Sequence, residues 1–116
     1  MDRKKELKEK YKMMKPEMGL FIIKSKLENK CHIEVSQNLK GSINGTVFKL
    51  NFGNHPNREL QKAWIQKGEN SFTIEILEKL EYDEDEIKTD YSEELQILEV
   101  VWKDKLTKQG MEFYNK

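Results

Sequence analysis

The chain has 116 residues, with 21 basic and 21 acidic side chains and a formal net charge of zero. That length suits one domain and leaves no room for a second independent core, and the charge balance excludes a bulk polycation that coats nucleic acid. Charged and apolar residues each make up 36%, which predicts a compact core under a heavily charged surface, and no apolar run approaches the roughly 20 residues of a membrane span.

Five Phe, four Tyr and two Trp argue for folding rather than disorder. The charged N-terminus has no apolar stretch long enough for a signal peptide, so a cytoplasmic location is expected. The single cysteine, Cys31, excludes an intramolecular disulfide and a multi-cysteine zinc site.

In chain order, residues 2–15 are charged and helix-prone, with Leu7, Tyr11 and Met14 at helical spacing and Pro16 as the stop. Gly19–Ser25 reads as a buried strand. Cys31–Ser36 reads as a second strand, with Cys31, Ile33 and Val35 on one face and His32, Glu34 and Ser36 on the other. The polar link between them has hairpin length. Residues 37–53 are ambiguous. Gly41 and Gly45 each cost a helix about 1 kcal/mol against Ala, and Asn44–Gly45 is a turn signal, so only a weak helix is expected. Asn57 is a good cap for a helix with Leu60, Ala63 and Trp64 on one stripe, ending at Gly68. Phe72–Leu80 alternates as a third strand. Residues 81–91 form an acidic loop. Ser92–Leu106 is an amphipathic helix with Leu95, Leu98, Trp102 and Leu106 on one side and Ser92 as a plausible cap. Phe113 and Tyr114 should dock back. The expected class is α+β: a small three-stranded antiparallel sheet flanked by helices, with residues 1–16 as a helical lead-in and 17–116 as the domain.

The zero net charge is a cancellation. Residues 1–74 carry +7, residues 75–99 carry −9 and residues 100–116 carry +2.

The residues also resemble a known family. Gly19-Leu20-Phe21 on the first strand, His32-Ile33-Glu34 on the second and Gln37-Asn38-Leu39-Lys40 after it stand where the GIY-YIG nuclease superfamily has its two tripeptides and following segment. Gly53, His55, Asn57, Leu60 and Gln61 resemble a G-x-H-x-N-x-x-L-Q run found in bacterial members. Leu98-Glu99-Val100-Val101-Trp102 resembles the helix that carries the metal-binding Glu, and Tyr114-Asn115 resembles the terminal Asn motif. The likeness covers about residues 17–116 and is nearest to a small bacillus-type branch, with degenerate motifs.

The resemblance implies hydrolysis of a phosphodiester with one divalent cation, using a hairpin Tyr, a helical Arg and a metal-holding Glu. Here the first Tyr is replaced by Phe21, which has no hydroxyl. The second is replaced by His32, which could act as a base. Glu34 replaces a Gly that lets phosphate approach. Ser42 replaces the Arg clamp. Glu99 as metal ligand and Asn115 remain.

The implied function is a divergent nuclease-like domain, catalytically weak or inactive, acting as a nucleic-acid-binding or regulatory module. One alternative is an active endonuclease using Mg²⁺ or Mn²⁺, with His32 as base and Lys24 or Lys40 in place of the Arg. Another is a protein-interaction domain without nucleic acid. DNA is the implied partner, bound weakly and in a salt-sensitive way. Without activity no cofactor is implied.

The residues themselves allow plainer roles. His32 and Glu34 can form a surface ion pair, His55 can bond within its turn, Glu99 can be a solvated carboxylate, and Cys31 reads as an inert buried thiol. A two-His metal site from His32 and His55 would need spatial contact.

Overall fold

The computed structural model describes residues 15–115, apart from residue 86. The helix expected over residues 2–15 lies, except for Lys15, outside the described residues.

Strand β1 (Met18–Ser25) pairs antiparallel with β2 (Lys30–Ser36), with Ile23 opposite His32 and Phe21 opposite Glu34. The link turns on Ser25, whose hydroxyl accepts from the backbone N–H groups of Leu27 and Glu28 at 3.1 and 3.2 Å. Strand β3 (Phe72–Leu80) pairs antiparallel with the other edge of β1, with a register shift between Leu20 and Phe21. A short strand β4 (Glu112–Phe113) pairs parallel with β2. The sheet is therefore four-stranded and mixed, in the order β3-β1-β2-β4, not three-stranded and antiparallel. Two ordered residues are too few to show any alternation, so β4 leaves no sequence signal beyond its aromatics.

β1 is central and buried on both faces, which explains its unbroken apolar run. Gly19 is required by close approach of the neighbouring strand. A Cβ there would lie 2.0 Å from the Glu78 carbonyl oxygen and 2.8 Å from the Lys79 Cα.

Residues 39–52 form a full helix, α1 (Leu39–Phe52). The Asn38 side chain accepts from Gly41 N–H, and Gly53 closes the other end at φ +78°. Leu39 and Leu50 are almost wholly buried. At roughly 1.5–3 kcal/mol each, they outweigh the roughly 2 kcal/mol that two helical glycines cost. Helix α2 (Arg58–Lys67) follows, with Asn57 as the expected cap and Gly68 as its stop. Helix α3 (Ser92–Lys108) begins one residue after Tyr91, and Ser92 is its first residue and not its cap. Ser92 bonds instead to the Asp90 carboxylate through both its N–H and its hydroxyl.

The sheet separates two cores. On one face Met18, Leu20, Ile22, Cys31 and Ile33 pack against Leu95, Leu98 and Leu106 of α3. On the other, Phe21, Ile23 and Phe72 pack against Leu39 and Leu50 of α1 and Leu60, Ala63 and Trp64 of α2. The C-terminal segment serves both, with Phe113 against the first core and Tyr114 in the second.

Candidate functional site

Alternation along β2 sends Cys31 and Ile33 toward α3 and His32, Glu34 and Ser36 toward α1 and α2. This polar face is not open to solvent. His32 and Glu34 are half-buried, with side chains 17% and 29% exposed, and His55 from the α1–α2 link is 2% exposed. The pair expected at the surface therefore lies under two helices, and His55 does reach it.

Both histidines converge on one oxygen. His32 Nε2 lies 2.8 Å from Glu34 Oε1, and His55 Nε2 lies 3.3 Å from the same atom. The two rings meet edge to face at 5.3 Å. The Thr46 hydroxyl of α1 donates to Glu34 Oε2 at 3.3 Å. Burial pushes the Glu34 carboxyl up, but the hydrogen bonds it accepts from His32 and His55 more than reverse this and hold it at about 2 against an ordinary 4.5.

Asn57 decides which ring nitrogens carry protons. Its backbone N–H donates to His55 Nδ1 at 3.0 Å, so that nitrogen is an acceptor. Its Oδ1 accepts from Leu60 N–H at 3.1 Å, which identifies the other side-chain atom as the amide nitrogen. That Nδ2 donates to the Tyr114 carbonyl at 3.0 Å and faces His32 Nδ1 at 3.3 Å. Both Nδ1 atoms are thus acceptors. In each neutral ring the proton sits on Nε2 and is donated to Glu34. Gln61 completes the frame, accepting from His55 N–H and donating to the Leu50 carbonyl, both at 2.9 Å.

Solved structures with the same architecture exist. The catalytic domain of the homing endonuclease I-TevI superposes with a TM-score of 0.64 at 24% identity, over 84% of this chain and 96% of that one. A glutamate-to-alanine variant of that catalytic domain gives a TM-score of 0.51 at 25% identity, over 72% and 84% of the two chains. This chain has the GIY-YIG nuclease fold. No family model matches it, and no curated protein sequence is significantly similar to it. Among the described residues no helix is long and apolar enough to cross a membrane.

Within the GIY-YIG fold the expected site residues divide. Phe21 and His32 lie on the sheet face under α1 and α2, and Ser42 meets that face from α1 through Ser36. Phe21 is fully buried beside Glu34. Ser42 Oγ lies 2.5 Å from Ser36 Oγ, one helical turn before Thr46. Asn115 follows β4 and is exposed; its backbone bonds reciprocally to Glu59 at the start of α2. Glu99 is not brought to this group. It belongs to α3, which covers the opposite face, and its carboxylate pairs with Lys103 at 3.4 Å. Cys31 is buried, and burial pushes its thiol up to about 11.

Among the described residues, the grouping of three or more metal-ligating side chains is His32, Glu34 and His55, with ligand atoms within 4.8 Å of one another. Two His and one carboxylate are a chemically suitable donor set. The protons do not fit it. A cation at Nε2 of His55 would move the proton to Nδ1, where it would point at the Asn57 N–H, and a backbone donor cannot turn away. The arrangement is built as a hydrogen-bond network around one carboxylate.

No motif marks Thr46 or the second role of Asn57. The available signal was helical spacing, since Thr46 stands four residues after Ser42 on the side of α1 facing β2.

Proposed function

We propose that this nuclease-like domain binds nucleic acid and has weak or no phosphodiester hydrolysis of its own. The observation that carries the reading is the proton economy of the central face. His32 and His55 spend their Nε2 protons on Glu34 and their Nδ1 lone pairs on Asn57, so neither ring keeps a nitrogen for a substrate proton. Three features support it. The ionised Glu34 puts negative charge where a phosphate would approach, Ser42 offers no cationic fork, and Phe21 has no hydroxyl.

Support for nucleic acid as the partner comes from charge placement. Helices α1 and α2 carry Lys40, Lys49, Arg58, Lys62 and Lys67 against the single acid Glu59. The acidic stretch from residue 75 to residue 99 ends in α3, on the other side of the sheet.

The test is a nicking assay on supercoiled plasmid with Mg²⁺ or Mn²⁺, alongside duplex binding by fluorescence anisotropy. The expected result is no metal-dependent nicking and an affinity that falls about a hundredfold from 50 to 200 mM salt, as for about four phosphate contacts. Metal-dependent cutting that disappears in His32→Ala or Glu99→Ala would establish the active-endonuclease reading instead. Absence of binding at low salt would favour a protein partner.

A further inference from the structure

Two large apolar side chains on α1 lie outside both cores. Phe48 and Phe52 are 62% and 67% exposed, one helical turn apart, and their rings stack at 4.5 Å with 29° between planes. Scattered exposed apolar residues are ordinary, but here two rings are preassembled into one slab with an outer face on each side.

The surroundings of the slab point to its ligand. Gly45 lies on the same side of α1, three residues before Phe48, and a Cβ built on it meets nothing within 4 Å. The fold does not need glycine there, and the helix is weakened by about 1 kcal/mol against Ala. The result is a bare strip of backbone leading to the rings. Helix α1 contains no acidic residue, and the exposed Lys40 and Lys49 lie to either side of the strip. A protein-binding patch is typically depleted of Lys. A flat aromatic surface rimmed by Lys and Asn is suited to a base and its phosphates.

We propose that Phe48 and Phe52 form a stacking platform for unpaired nucleotide bases, so that the domain prefers single-stranded over duplex nucleic acid; this rests on the nucleic-acid-binding reading above. A duplex already stacks its bases on one another. It would have to be opened, at a few kcal/mol per step, to present a ring face to a helix surface. A single strand presents ring faces without that cost.

The test measures anisotropy of a labelled oligothymidylate of about 16 nucleotides and of a duplex of equal length. It uses the full chain and two double variants, Phe48→Ala/Phe52→Ala and Phe48→Leu/Phe52→Leu. Both positions are exposed, so unchanged thermal melting is expected. Both variants should lose about tenfold or more in single-strand affinity and keep their duplex affinity. The Leu pair separates stacking from plain apolar contact. If it binds single strands as the wild type does, the platform is refuted. An Ala pair with unchanged single-strand affinity refutes it too, while duplex binding by the same protein would leave the broader reading standing. If neither oligonucleotide binds at low salt, both proposals fall. Loss of self-association in the Ala pair, with no change in oligonucleotide binding, would reassign the slab to a protein contact.

Discussion

Replacing Glu34 by Gln removes the charge at the centre of the network while keeping its shape. Gln retains an acceptor for the two Nε2 protons, and its amide can donate to Thr46. What is lost is the strengthening that a charged acceptor gives each bond. A carboxyl held at about 2 in the folded protein, against 4.5 in the open chain, corresponds to about 3 kcal/mol at neutral pH. Its side chain is 29% exposed, and screening by water brings the expectation to about 1–2 kcal/mol. Because the folded state binds this proton more weakly, the stabilisation is fully present above about pH 4.5 and is lost as pH falls toward 2. Gln does not titrate. Urea unfolding of both proteins, followed by fluorescence of the buried Trp64, should show a wild-type advantage of about 1–2 kcal/mol at pH 7. That is a midpoint difference of roughly 0.5–1 M. The gap should close between pH 4.5 and pH 2. Other carboxyls titrate over the same range, among them Asp90 and Glu94, but they are common to both proteins and cancel in the difference. A gap of equal size at pH 7 and pH 3 would refute the argument, because it would mean that Glu34 acts by shape and not by charge.

Asn57→Ala should cost about 2–4 kcal/mol in the same assay. It removes a helix cap worth about 1 kcal/mol and leaves the buried Tyr114 carbonyl without its donor. Asn57→Asp keeps the cap and should recover only that part. The two glycines singled out by their surroundings should respond with opposite signs. Gly19→Ala drives a methyl into the β3 backbone and should destabilise by about 3 kcal/mol or more. Gly45→Ala meets open space and should stabilise by about 0.5–1 kcal/mol.

The legible parts of the fold were those whose burial follows a short-range rule. β1 announced itself as a continuous apolar run because both its faces are covered. β2 and β3 alternated, and their bounds lay within one residue of the expectation. Helix α1 was blurred for a physical reason: Phe48 and Phe52 face solvent while Leu39 and Leu50 face the core. Apolar residues therefore fall on both sides of the helix and the stripe that marks amphipathicity dissolves. The site was half legible. His32 and Glu34 share a strand face by spacing alone, whereas His55 is 21 positions from Glu34. It joins them only because the α1–α2 link folds back over the sheet. Glu99 stood out in sequence beside Leu98, but the face of the sheet that a helix covers is a tertiary fact.

The run Gly53-x-His55-x-Asn57-x-x-Leu60-Gln61 is structural along its whole length. Each residue in it has work to do in the fold. Gly53 adopts the left-handed turn that ends α1. His55 and Gln61 bond to each other, and Gln61 ties back to the Leu50 carbonyl. Asn57 caps α2, and Leu60 is fully buried. Together they fasten the end of one helix to the start of the next above the sheet. Gly19 likewise stands where β3 leaves no room for a side chain, and Phe21 is a fully buried ring without a hydroxyl. The positions that match the GIY-YIG pattern here are those the architecture needs. Phe21, Glu34 and Ser42 stand where the sequence resemblance implies a hydroxyl, open space and a cation. The proposed reading, a fold kept for binding with little or no hydrolysis, accounts for such a division. On the reading proposed above, Glu34 is the first position to change in any attempt to introduce hydrolysis, because its carboxylate holds both histidines.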